Sequence, residues 1–96
     1  MSIMTATLPT TEASRLINRL CKHFSHKAPA QWDADSGEVT FIMGRCQLQA
    51  TPDTLQLTCR AEDAEAVQAV ADIVASHLLR FAAGTLDDVA WTTTVA

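Results

Sequence analysis

Cysteine, glycine and proline each occur only three times in this chain, and no apolar run reaches the roughly 18 residues of a membrane span. Without such a run there is no candidate spanning helix. The first residues also lack the basic leader and continuous apolar stretch of a secretory signal, so a cytoplasmic protein with no membrane partner is expected. An odd number of cysteines at irregular spacing does not make a secreted disulfide framework, and the thiols are expected to be reduced. The glycines fall singly, as Gly37, Gly44 and Gly84, at expected turns, and cannot form a phosphate-cradling loop. No nucleophile with a neighbouring base and no carboxylate pair at a strand end stands out, so no enzyme class is indicated.

What is present describes an ordinary globular chain. With 96 residues, 48% of them hydrophobic and 19% charged, residues 1–96 read as one domain. A chain of this size buries roughly 60–65% of its unfolded surface and folds without staples. The formal net charge of −4 argues against nucleic acid, because phosphate contacts need a broad basic surface.

Against that acidic background the positive charge is segregated. Four of the seven Lys and Arg residues lie between Arg15 and Lys27. On a helix, Ala13, Leu16, Ile17, Leu20 and Phe24 recur at i, i+3, i+4, i+7 and i+11, a narrow apolar stripe. Arg15, Arg19, Lys22 and His26 recur at i, i+4, i+7 and i+11 on nearly the opposite side, with His23 at the edge between the stripes. The spacing predicts one two-sided helix over residues 10–27, capped at Thr10 or Thr11 and stopped by the Ala28-Pro29 step.

Residues 3–8 alternate, with Met4, Ala6 and Leu8 on one side, and predict a first strand. From Ala30 to Arg60 the period is 2, broken at Asp35-Ser36-Gly37, at Gly44 and at Pro52-Asp53, which delimits four strands in a meander. A tight turn at Pro52-Asp53 would set Ala50 opposite Leu55, Leu48 opposite Leu57 and Cys46 opposite Cys59. It would leave Arg45, Gln47, Gln49, Gln56 and Arg60 facing outward. A second helix is expected from Glu62 to Ala83, with Val67, Val70, Ala71, Val74, Leu78 and Phe81 toward the core, Leu79 on the far side and Gly84 as its stop. An Asp87-Asp88 turn and a last strand over Val89–Thr92 follow. The order β-α-β-β-β-β-α-β predicts an α+β fold, two helices on one face of a mostly antiparallel sheet. It resembles the TATA-binding-protein-like plan of strand, helix, four strands and helix, with one strand appended.

Three chemistries fit these residues. Arg15, Arg19, Lys22, His23 and His26 could recognise an anionic small molecule or partner, because guanidinium groups bind carboxylate and phosphate directionally. His23 and His26, with His77 from the second helix, could hold zinc or iron, for which imidazole is a usual ligand. Cys21 lies about 160° around the helix from His23 and cannot join them on a regular helix. Cys46 and Cys59 read either as a redox or soft-metal pair or as small hydrophobes in the core. Trp32 and Trp91 read either as pocket walls or as core. The third reading is a homodimer or larger homo-oligomer through the polar sheet face, with Ile42, Arg45, Gln47, Gln49 and Gln56 in contact, as against a monomer.

Read together, Leu20-Cys21-Lys22-His23-Phe24-Ser25-His26-Lys27 form a distinctive block. With Ala6 to Arg15, Gly44-Arg45-Cys46, and His77, Leu78, Arg80, Phe81 and Ala82, it makes the chain similar to a small bacterial family of unestablished activity, domain of unknown function 2218. The resemblance covers nearly the whole chain. It implies a gene neighbourhood or fusion with siderophore-interacting flavoproteins, hence a part in iron acquisition in which the basic strip and histidines meet a ferric siderophore's oxygens or a partner reductase.

Overall fold

The computed structural model describes residues 1–82 and 89–95. Eight elements follow in order: β1 (Ser2–Pro9), α1 (Ala13–Phe24), β2 (Ala30–Trp32), β3 (Ser36–Thr40), β4 (Gly44–Ala50), β5 (Thr54–Ala61), α2 (Ala64–Ala82) and β6 (Thr92–Val95). The strands form one sheet in the order β2-β3-β4-β5-β1-β6, every neighbouring pair antiparallel. Both helices cover one face, α1 over β2 and β3 and α2 over β5, β1 and β4.

Pleat alternation explains which face is covered. Met4, Ala6 and Leu8 of β1, Cys46 and Leu48 of β4, and Leu55, Leu57 and Cys59 of β5 are buried. The pairs Ala50 with Leu55, Leu48 with Leu57 and Cys46 with Cys59 stand opposite one another. One register therefore sends the apolar side chains of β4 and β5 to the helix side, and a slip by one residue would expose them. Against this face α1 buries Ala13, Leu16, Ile17, Leu20, Cys21 and Phe24, and α2 buries Val67, Val70, Ala71, Val74 and Leu78. Leu79, expected on the far side, is instead partly buried against the core, and Phe81 lies only half-buried at its edge.

Two glycines are strand residues set where a helix comes close, not turn residues. A Cβ on Gly37 would stand 2.7 Å from the Cys21 sulfur and 3.0 Å from Ile17 Cγ2, both on α1. One on Gly44 would meet the Arg60 carbonyl oxygen and stand 3.1 Å from Val70 Cγ2 of α2. The β2–β3 turn is instead Asp33 to Asp35, where one Asp33 carboxylate oxygen accepts the backbone N–H groups of Asp35 and Ser36 at 2.9 and 2.8 Å. Those hydrogen bonds hold the Asp33 carboxyl below its usual pKa.

Element ends depart from the sequence expectation for local reasons. The Thr10 hydroxyl accepts the Glu12 N–H at 3.1 Å, making a turn before the helix, and α1 begins one residue after Glu12. At its other end α1 stops at Phe24, not Lys27. The Ser25 hydroxyl donates to the Lys22 carbonyl at 2.7 Å and the Ala28 N–H to the Phe24 carbonyl at 2.8 Å, so the exit demanded by Pro29 is prepared a full turn earlier. At the start of α2 the Asp63 carboxylate accepts the Ala66 N–H at 2.8 Å, an N-cap that moves the start to Ala64. The last strand is Thr92–Val95, beside β1, while Val89 is buried in the core. Gly84 and the Asp87-Asp88 turn lie outside the described residues.

Candidate functional site

His23 sits one position before the buried Phe24, at the edge of the α1 core stripe. That position aims it along the α1–α2 seam, where the structure brings it to His77. The two imidazole centroids are 4.9 Å apart. Phe24 and Phe81 close around them, with Phe24 5.5 Å from His23 and 5.0 Å from His77, and Phe81 5.5 Å from His23. Phe41, in the β3–β4 turn, stands edge-on to Phe24 at 5.2 Å. A cleft of about 340 Å³ opens here, lined by His23, Phe24, Lys27, Phe41, Met43 and His77 among others.

The electrostatics have one sign. Arg19 places its guanidinium carbon 5.2 Å from the Phe81 centroid, a cation–π contact. The His23 pKa is lowered, first by desolvation and then by the positive charge of His77, Lys27, His26 and Arg80; no acid is among its causes. His77 Nδ1 is 2.8 Å from the Ile73 carbonyl oxygen. A carbonyl only accepts, so Nδ1 carries the proton and a neutral His77 keeps its lone pair on Nε2.

The residues proposed from sequence do not all gather. His23 lines the cleft, and Arg19 stands over Phe81 beside it without lining it. Arg15 is at the far end of α1, bonded to Glu12 at 3.0 Å. Lys22 is exposed and does not line the cleft. His26 lies beyond α1 in an exposed turn, so the expected single rod over residues 10–27 is divided. His77 meets His23, but among the described residues no three His, Cys, Asp or Glu side chains are grouped as a metal would need. Ile42 is on the β3–β4 turn and fully exposed, not on the polar sheet face where Arg45, Gln47, Gln49 and Gln56 lie.

The thiols are core groups. Cys21, Cys46 and Cys59 are free and fully buried. Burial pushes the Cys21 thiol up to about 11, and a hydrogen bond with Cys59, then burial, pushes Cys46 well up. Protonated thiols are poor nucleophiles and poor metal ligands. Trp32 is partly exposed and donates from Nε1 to Asn18 Oδ1 at 3.0 Å, tying β2 to α1, while Trp91 packs partly buried against the core.

Sequence reasoning passed over Phe41, Met43 and Lys27 as site residues. The signal available was an apolar triplet, Phe41-Ile42-Met43, in a turn before Gly44, where polar residues are the norm.

These features define a class: a small α+β protein with two helices on one face of an antiparallel sheet and a cation-rimmed aromatic cleft at the helix seam. The chain belongs to a family described as an uncharacterized protein conserved in bacteria, domain of unknown function 2218, which matches residues 5–92. An NMR structure of PA4090 from Pseudomonas aeruginosa is similar, with a TM-score of 0.79 and 28% identity, over 98% of this chain and 96% of that one. None of the curated proteins compared with the sequence matches it.

Proposed function

We propose that the protein is a binding module whose cleft between α1, α2 and the β3–β4 turn takes a small organic anion, its apolar body against Phe24, Phe41 and Met43 and its charged head toward His23, His77 and Lys27. The observation that carries this is the field at His23, where Lys27 and Arg80 add standing positive charge and His77 and His26 add more in their protonated forms. An apolar cleft with a few convergent polar groups is the usual form of a small-molecule site, and a cationic cluster favours an anionic head. The iron-acquisition role implied by the family resemblance fits inside this reading, because a ferric siderophore offers anionic oxygens on an organic scaffold. A siderophore-interacting flavoprotein would then be the neighbouring partner.

A zinc or iron site at His23 and His77 is the weaker reading. The imidazoles are adjacent and the His77 Nδ1–H is held by a carbonyl, as in many metal ligands. A dication would, however, meet the charges of Lys27 and Arg80, with no acid among the described residues offsetting them at His23. Self-association through the polar sheet face involves other residues and is compatible with either.

The test is an NMR titration of isotope-labelled protein with aryl carboxylates, sulfonates and phosphates, phenylbutyrate first. Saturable shifts at His23, His77 and Phe41, weakened at least tenfold in Lys27→Glu/Arg80→Glu, are expected. No shift at those residues with any member of the panel at millimolar concentration overturns the proposal. Shifts with zinc alone would favour the metal reading.

A further inference from the structure

A second cationic feature lies across the β3–β4 turn, on the outer face of the sheet. Arg45 of β4 and Arg60 of β5 are direct cross-strand partners. Like charges directly opposite one another in a sheet are destabilising. The register that opposes them is imposed from the other face, since it also pairs Cys46 with Cys59 and Leu48 with Leu57 in the core. The strands cannot slide to separate the guanidinium groups.

Nor does the surrounding structure neutralise them. The Arg60 Nε is buried and has no hydrogen-bond partner. Glu62 shares the depression with the arginines but makes no ion pair with either. A buried donor left unpaired destabilises the fold. The arginine pair therefore has no internal counter-charge among the described residues, and a bound anion meeting the outer guanidinium nitrogens would supply one.

The surroundings indicate what that ligand is. Arg45 and Arg60 line an open depression of about 910 Å³ whose other walls include Met1, Ile42 and Met43. Ile42 is fully exposed, Met1 60% and Met43 38%. Large apolar side chains in contact with water beside a charged pair fit a ligand with both an anionic and an apolar part.

We propose that Arg45 and Arg60 together bind one phosphate or carboxylate group of a soluble organic anion whose apolar part covers Ile42 and Met43. Two guanidinium forks present parallel N–H donors to such a group, and its negative charge removes their mutual repulsion. The ligand is a free molecule and not a lipid headgroup in a bilayer, because a chain with a net charge of −4 is repelled by an anionic membrane surface. This site adjoins the His23–His77 cleft, since Ile42 and Met43 line both, but its charged pair is on β4 and β5 and the inference does not rest on the reading of that cleft.

The experiment follows backbone amides and arginine Nε–H resonances by NMR during titration with inorganic phosphate, with hexyl phosphate, and with phosphatidylglycerol vesicles. Saturable shifts are expected at Gly44, Arg45, Arg60 and Ala61 and at the Arg60 Nε–H. Hexyl phosphate should bind at least about tenfold tighter than inorganic phosphate, the gain from covering two methylenes. Arg45→Gln and Arg60→Gln should each weaken binding about tenfold or more. Without phosphate, Arg45→Gln should hold or raise the melting temperature, since it removes a repulsion; with phosphate, the ligand-induced rise of the parent should disappear. Unchanged hexyl phosphate affinity in both variants overturns the proposal, as does binding to the vesicles alone.

Discussion

Gly37 gives the sharpest test of how α1 seats on the sheet. In Gly37→Ala the new methyl carbon would stand 2.7 Å from the Cys21 sulfur, 3.0 Å from Ile17 Cγ2 and 3.3 Å from Trp32 Cβ. Ordinary carbon contacts begin near 3.5 Å, so α1 must shift or Cys21 must leave its rotamer. Overpacking of this kind costs about 1–3 kcal/mol. Against it, alanine restricts the unfolded chain and returns about 0.4–1 kcal/mol. The net expectation is a loss of about 1–2 kcal/mol, a fall of about 5–15 °C in melting temperature for a domain of this size.

The cause is testable because the nearest atom can be removed. Cys21→Ala alone deletes one fully buried heavy atom and should cost about 1 kcal/mol. In Gly37→Ala/Cys21→Ala the incoming methyl has the space of the missing sulfur, so the double variant should be more stable than the summed losses by about 1 kcal/mol or more. Urea unfolding of the four proteins, with slopes compared, measures that coupling. Losses additive to within about 0.3–0.5 kcal/mol would refute the claim that contact with Cys21 is what requires glycine. Gly44→Ala should admit no such rescue through Val70, because its Cβ would meet the Arg60 carbonyl oxygen, which is backbone.

Asn18→Ala removes the acceptor of the Trp32 indole N–H; it should cost about 0.5–1 kcal/mol, read by thermal melting, and shift Trp32 fluorescence to the red as β2 loosens from α1. His23 has a folded-state pKa below its ordinary 6.5, so the fold prefers it neutral and the unfolded chain takes up the proton first. Stability should therefore be full above about that value and fall as the pH drops through it, with the urea midpoint of His23→Gln flatter across that window. Asp33, lowered from 3.8, acts only at still lower pH and does not obscure this.

The core was legible because periodicity reports burial. The α1 stripe from Ala13 to Phe24 and the pairs across the β4–β5 turn follow from spacings of 3.6 and 2, and a turn at Pro52-Asp53 leaves one register that buries both strands. The ends of elements were less legible. Thr10 is an expected cap of the first helix, yet its hydroxyl is engaged by the Glu12 N–H, while Asp63, which caps α2, falls inside the helix expected from Glu62. Leu79 looked outward on a helical wheel, but a wheel shows direction and not which neighbour stands there; the packed core meets it from the side.

The site divides the same way. Composition and spacing alone determined that the positive charge concentrates on one helix, that His23 lies at its core edge, and that Cys46 and Cys59 face inward. Only the tertiary structure decided that His77 would meet His23 across the helix seam, that Phe41 and Met43 would wall the cleft, and that Arg45 and Arg60 would stand opposite each other with an unpaired Nε between strand and solvent. The physical reason is that a period fixes the azimuth of a side chain on its own element, whereas a site is made by azimuths on several elements meeting. That meeting depends on strand order and on how closely glycine lets the helices approach.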